Sequence, residues 1–208
     1  MKYLIAIPCM DMMHTNFVRS LVSMRLAGNC EIALAISSLI YDARNHLAEK
    51  AVKGGFDRVL WLDSDMTFDR DIMERLAARL DEGRDFVSAL YIKRKEPIAP
   101  CIYSAGDMDK PVNDTFDDYP QDAIFEIAAC GFGGVMMTTE LLQAVGSRFG
   151  FPFSPLPLAG EDLSFCYRAR ALKRKLYCDS SIKMGHIGTT EITEETFQRE
   201  RSVKSGDF

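Results

Sequence analysis

Two hydrophobic periods alternate along the first half of the chain. Residues 3–7 and 59–62 are unbroken apolar runs, the pattern of strands covered on both faces. Between and after them, Ala43, Leu47, Ala51 and Val52, then Ile72, Leu76 and Leu80, recur at helical spacing. Taken in order, the pattern predicts strands at 3–7, 31–36, 58–62 and 85–91. Helices fall between them: one through Phe17, Leu21, Met24 and Leu26, one capped by Asp42 and closed by Gly54-Gly55, and one capped by Asp69 and stopped at Gly83. Strands alternating with helices over short links imply a single α/β domain, its sheet mostly parallel and covered by helices on both faces. Ligands in such sheets bind beyond the carboxyl ends of the strands.

From Tyr91 the rhythm changes. Lys93-Arg94-Lys95 and a short strand at 100–104 lead into an acidic segment, 106–122, punctuated by Pro and Gly and expected to be a mobile surface loop. Strands at 124–129 and 135–138 flank Cys130-Gly131-Phe132-Gly133-Gly134, where backbone can approach a ligand or simply bend tightly. Thr139 caps a helix to Val145, Gly160-Glu161-Asp162 opens another, and a last strand at 176–178 precedes a charged, loosely ordered tail at 191–208. Residues 1–105 and 106–190 thus read as two halves of one domain.

Composition narrows the function classes. With 208 residues, 47% of them hydrophobic, the chain can build one sizeable core. A net charge of −5 gives no overall attraction to nucleic acid or an anionic membrane, so generic nucleic-acid binding is not expected. Six cysteines without a Cys-x-x-Cys pair suit buried, reduced thiols in a cytoplasmic protein. Pro8 halts the first apolar run too early for a signal peptide or membrane span, and neither is expected.

The chemistry gathers where predicted strands end. Asp63 and Asp65 leave the strand at 58–62 on the same side, a pair suited to a hard cation whose shell a substrate phosphate completes. A polar turn explains Asp63-Ser64-Asp65 equally well, because Asp69/Asp71 and Asp107/Asp109 share the spacing without following a strand. Arg44 and Asn45 near a helix start could receive a phosphate or be merely solvated.

In sequence order these features resemble the family 2 glycosyltransferases of GT-A fold: Ile7-Pro8 ending the first strand, Arg44-Asn45 opening a helix, the Asp63-Ser64-Asp65 triplet as the DXD motif, the glycine segment 131–134, and Gly160-Glu161-Asp162 opening a helix that carries Arg168. The resemblance implies a metal-dependent transfer of a sugar from a nucleotide-diphosphate donor, a UDP- or GDP-sugar, to an acceptor hydroxyl. Asp63 would face the ribose, while Asp65, with Asp63 and a late histidine, His186, would hold Mn²⁺ or Mg²⁺. Asp162 would be the general base of an inverting reaction, with Glu161 orienting the site. Arg44, or Lys93 and Arg94, would offset charge on the leaving diphosphate. The donor site would draw further on Pro8, Asp11, Ser37, Asn45, Ser64, Gly133 and Gly134. One departure stands out: Ala35-Ile36-Ser37-Ser38 offers only hydroxyls where many members carry an acid that reads the base. The acceptor and the oligomeric state stay open.

Two other classes fit parts of the pattern. An apolar strand running into Asp63-Ser64-Asp65-Met66-Thr67 also matches the nucleophile motif of HAD-type phosphohydrolases, although two strand-helix units precede it and no later Gly-Asp-x-x-x-Asp pair follows. A non-catalytic nucleotide or glycan binding module would share the metal acids but have no need of Asp162. A pyrophosphorylase lacks support, because the Gly-rich loop after the first strand is missing.

Overall fold

In the computed structural model, which describes residues 1–111, 114–188 and 191–205, the apolar runs become the centre of one large sheet. β1 (Lys2–Cys9) and β3 (Arg58–Leu62) lie side by side and parallel, and the whole of β3 is buried. β2 (Asn29–Ile36) pairs with the other side of β1 and forms the sheet edge. β9 (Gly134–Thr138) runs antiparallel between β3 and β5 (Phe86–Leu90), and the long β10 (Leu176–Ile187) follows, parallel to β5. Thus β1, β2, β3, β5 and β10 share one direction and β9 alone is reversed within that row. Short β4 (Met66–Phe68), β7 (Ile124–Ile127) and β11 (Glu191–Ile192) add antiparallel to β10, and β6 (Ile102–Tyr103) pairs separately with β8 (Ala129–Cys130).

Helices cover both faces, as the pattern predicts. α1 (Thr15–Ser23) and α3 (Ile72–Asp81) pack on the face carrying Ile5, Ile7 and Leu60. α2 (Ile40–Lys53), α4 (Thr139–Phe149) and α5 (Glu161–Ala171) pack on the face carrying Leu4, Ala6 and Trp61. On that second face Trp61, Phe132, Phe153 and Phe165 interlock edge to face and stacked, with centroids 4.9–6.1 Å apart where they pair. Aromatic pairs of this geometry contribute about 0.5–1.5 kcal/mol each beyond their buried area.

Helix starts depart from expectation. α2 begins at Ile40 after Leu39, so Asp42 lies inside its first turn and Arg44 and Asn45 come later; the Ser37 hydroxyl accepts from the Leu39 amide and starts the turn early. α3 is preceded by Asp71, not Asp69, and α4 is capped by Thr138, whose hydroxyl accepts from the Leu141 amide. Boundary shifts of one or two residues are usual for capping signals.

Two larger corrections concern the second half. Residues 114–122 are not a free loop: Phe116 donates its amide to Ile102, and Tyr119 is 4% exposed. Nor is the tail loose over 191–205. It forms β11 and α6 (Glu194–Ser205), whose Phe197 is 2% exposed and stacks on Tyr119, while Arg201 pairs with Asp118. One buried aromatic suffices to dock a polar helix, which a compositional reading overlooks. The loop expectation at 112–113 and the tail expectation at 206–208 lie outside the described residues.

Candidate active site

The carboxyl ends of the parallel strands open into a cavity of about 420 Å³. Its lining comes from separate elements: Pro8 to Met10 at the end of β1, Ile40 and Arg44 on α2, Asp63 to Asp65 in the turn between β3 and β4, Tyr91, Lys93 and Arg94 after β5, and Glu161 and Asp162 at the start of α5. Cys101, Tyr103, Gly131 and His186 complete it.

Arg44 is the hub. Its side chain is 2% exposed, its Nη2 donates to Asp63 Oδ1 at 2.7 Å, and its Nε donates to Glu161 Oε1 at 3.1 Å. Burial alone disfavours the guanidinium charge, but Asp63, Glu161 and Asp162 outweigh it and hold the proton firmly. Arg44 therefore spends two donors on carboxylates and ties α2, the β3–β4 turn and α5 together. Asp63 is raised above the usual carboxylate range, first by burial and then by Asp65, against the opposing pull of Arg44.

Asp65 has a different setting. Burial pushes it up, yet contact with His186 and the Arg94 guanidinium more than offset this and hold it below its ordinary value. Arg94 donates to Asp65 Oδ2, the same oxygen that lies 3.6 Å from His186 Nε2. His186 arrives there because β4 pairs with the end of β10, setting His186 opposite Met66 and the Ile187 amide on the Asp65 carbonyl at 2.8 Å. The ring is oriented by Nδ1, 2.9 Å from the Ile92 carbonyl. A carbonyl only accepts, so Nδ1 carries a proton and Nε2 is left facing Asp65. A carboxylate and an imidazole nitrogen are donor types that a hard or borderline cation takes, and phosphate and water can fill the remaining positions. Among the described residues no group of three His, Cys, Asp or Glu side chains stands in ligating arrangement. Asp63, held by Arg44, does not join Asp65 and His186.

Asp162 lines the same cavity from the start of α5. The sequence leaves open whether the helix N-terminus or neighbouring acids dominate its basicity. Burial first, then the Glu161 charge, push it up to about 7, against the Leu163 amide and Arg44, which pull down. Glycines make room here. A Cβ on Gly131 would overlap the Tyr91 hydroxyl, and one on Gly160 would lie 2.9 Å from Asp162 Oδ1. Tyr91 in turn accepts the Gly133 amide at 3.1 Å and meets the His186 ring edge-on, 5.4 Å between centroids.

Of the residues singled out in the sequence, Pro8, Arg44, Asp63, Ser64, Asp65, Lys93, Arg94, Glu161, Asp162 and His186 line this cavity. The others lie elsewhere. Asn45 accepts the Phe153 amide at 2.9 Å and fastens the loop before α5 to α2. Gly134 packs in β9, where a Cβ would strike Met184, and Gly133 contributes backbone contacts to Asp63 and Tyr91. Ser37 starts α2, and Asp11 is exposed outside the cavity lining. Tyr91, Cys101 and Tyr103 were missed, although Tyr91 ends a predicted strand at the ligand edge and could have been found by that rule.

The sequence matches no protein-family model and no curated protein. Solved structures do match. A197 from STIV superposes with a TM-score of 0.65 at 20% identity, over 90% of this chain and 86% of that one. GalNAc-T7, solved with UDP, GalNAc and Mn²⁺, superposes with a TM-score of 0.63 at 13% identity; 90% of this chain is covered, but it spans only 44% of the GalNAc-T7 chain. The fold is the α/β GT-A fold: a mostly parallel central sheet with helices on both faces.

Proposed function

We propose that the protein is a metal-dependent glycosyltransferase that moves a sugar from a nucleotide-diphosphate donor, a UDP- or GDP-sugar, to an acceptor hydroxyl. The observation that carries this reading is the convergence, in one cavity at the carboxyl edge of a GT-A sheet, of Asp65, His186 and Asp162, the last with a pKa of about 7. GalNAc-T7, which shares the fold, was solved with a UDP and Mn²⁺, which supports a nucleotide-sugar and a divalent cation here. Residues 1–105 would supply most of the donor side and 106–190 much of the acceptor side.

In this reading Asp65 and His186 hold Mn²⁺ or Mg²⁺, which supplies positive charge against the diphosphate as it leaves. Lys93 is the cation that would meet phosphate most readily, since Arg44 is engaged with Asp63 and Glu161 and Arg94 with Asp65. Asp162, poised near neutral pH, accepts the acceptor hydroxyl's proton as that oxygen attacks the anomeric carbon and the bond to the diphosphate breaks, inverting the configuration. Glu161 raises the basicity of Asp162 and, through Arg44, stays aligned with Asp63. A phosphohydrolase built on Asp63 and Asp65 would leave Asp162 in the same cavity without a role. The six cysteines are free thiols, which favours a reducing, cytoplasmic setting. No described helix is long and apolar enough to cross a membrane.

The test is a thermal-shift panel of UDP-, GDP-, ADP-, CDP- and dTDP-sugars with and without Mn²⁺. One nucleotide class should raise the melting temperature only with Mn²⁺, and Asp65→Ala should abolish the shift. No shift with any nucleotide would remove the donor-site assignment.

A further inference from the structure

β2 is an edge strand of eight residues, paired with β1 along its whole length and with no strand on its far side among the described residues. Natural edges are usually blunted by Lys, Pro, a bulge or a covering element. Asn29-Cys30-Glu31-Ile32-Ala33-Leu34-Ala35-Ile36 has no Lys or Pro, and its register with β1 runs unbroken. Its one charge, Glu31, is engaged by Lys50 of α2 at 2.7 Å.

The side chains heighten the anomaly. Ile32 is 49%, Leu34 50% and Ile36 75% exposed. Register places Ile32 beside Ile5 and Leu34 beside Ile7, so the three lie on the α1 face of the sheet, where Val22 and Leu26 are also exposed. At about 3.3 Å per residue the bare edge is about 26 Å long. That is a fitting spine for a standard interface of about 800 Å² per partner.

We propose that the occupant of this edge is a second copy of the chain, joined as a twofold antiparallel pair of β2 strands. The sequence of β2 is self-complementary about Ala33. Antiparallel pairing there sets Ile32 against Leu34 and Cys30 against Ile36 on the exposed face, and Glu31 against Ala35 on the other. No like charges oppose each other, and the apolar side chains cover one another. A twofold contact is closed, so the assembly stops at two. Because the paired strands run oppositely, the carboxyl ends of the two sheets point to opposite edges. Each cavity stays complete within its own chain, so the dimer stands or falls independently of the proposed chemistry.

Sedimentation velocity of the intact chain at tens of micromolar tests this. The wild type should sediment at twice the chain mass, and the double substitution Ile32→Lys, Leu34→Lys should sediment as a monomer with unchanged far-ultraviolet circular dichroism. Separately, Ile36→Cys should cross-link under mild oxidation to the native Cys30 of the other copy, since directly opposed residues lie within disulfide reach. Peptide mapping reads that register even if the Lys variant fails to fold. A monomeric wild type, species larger than a dimer, a Lys variant that still dimerises, or an Ile36→Cys chain that cross-links elsewhere or not at all would each overturn the proposal.

Discussion

At the scale of the residue, Asp162 shows how the fold raises the pKa of a carboxyl. A carboxyl in water titrates near 3.9, and burial beside Glu161 raises this one to about 7. The raised pKa means that the folded state binds the proton more tightly than the unfolded one. Its contribution to stability is intact below pH 4 and is lost as pH rises from there through 7. Replacing Asp162 with Asn should therefore leave stability unchanged near pH 4 and raise it at pH 8, by roughly 2–4 kcal/mol, in denaturant titrations at the two pH values. The same substitution should abolish transfer, whereas wild-type kcat/KM should climb through pH 7. A variant no more stable than wild type at pH 8 would show that the carboxyl is not held protonated. The identity of Asp162 was legible from Gly160-Glu161-Asp162, but its basicity was not, because desolvation depends on what covers the helix start.

At the scale of the element, β10 and α6 are where one-dimensional reading fell short. Only residues 176–178 carry an apolar signature strong enough to stand out, yet β10 continues to Ile187. Its later residues are held by β4, more than a hundred positions earlier in the chain, and by β11, the next strand after it. That extension is what carries His186 to Asp65. α6 is mostly charged and polar, and its attachment rests on Phe197 packing against Tyr119. Phe197→Ala should cost about 3–5 kcal/mol, the usual loss for a buried Phe, measured as a lowered denaturant midpoint. Proteolysis should then open 114–122 together with α6, since Tyr119 and Arg201 link them. A change under 1 kcal/mol would mean that α6 is only loosely laid on the core.

At the scale of the whole molecule, the Arg44 cluster ties together three elements that line the cavity. The guanidinium spans α2, the β3–β4 turn and α5. Removing one member of a buried charge network strands the others, at about 3–5 kcal/mol. Arg44→Met should destabilise the protein by that amount at pH 7, read from chemical denaturation. The loss should shrink when Asp63→Asn and Glu161→Gln are added, because the stranded charges are then gone. Additivity of the three changes would mean that they do not act as one unit.

Unbroken apolar runs at 3–7 and 59–62 and the helical faces between them determined, from sequence alone, an α/β sheet and the strand ends at which its cavity opens. Burial and periodicity are local properties, so a local pattern reports them. Ordered short motifs likewise marked Asp63, Asp65, Glu161 and Asp162. Only the tertiary structure decided that Arg44 clamps Asp63 and Glu161, that Arg94 and His186 share one oxygen of Asp65, and that β2 is left bare at the edge. These are contacts between residues 19 to 121 positions apart, or the lack of a neighbouring strand. No spacing along the chain encodes them; they follow from strand order and register, which are set when distant segments pack.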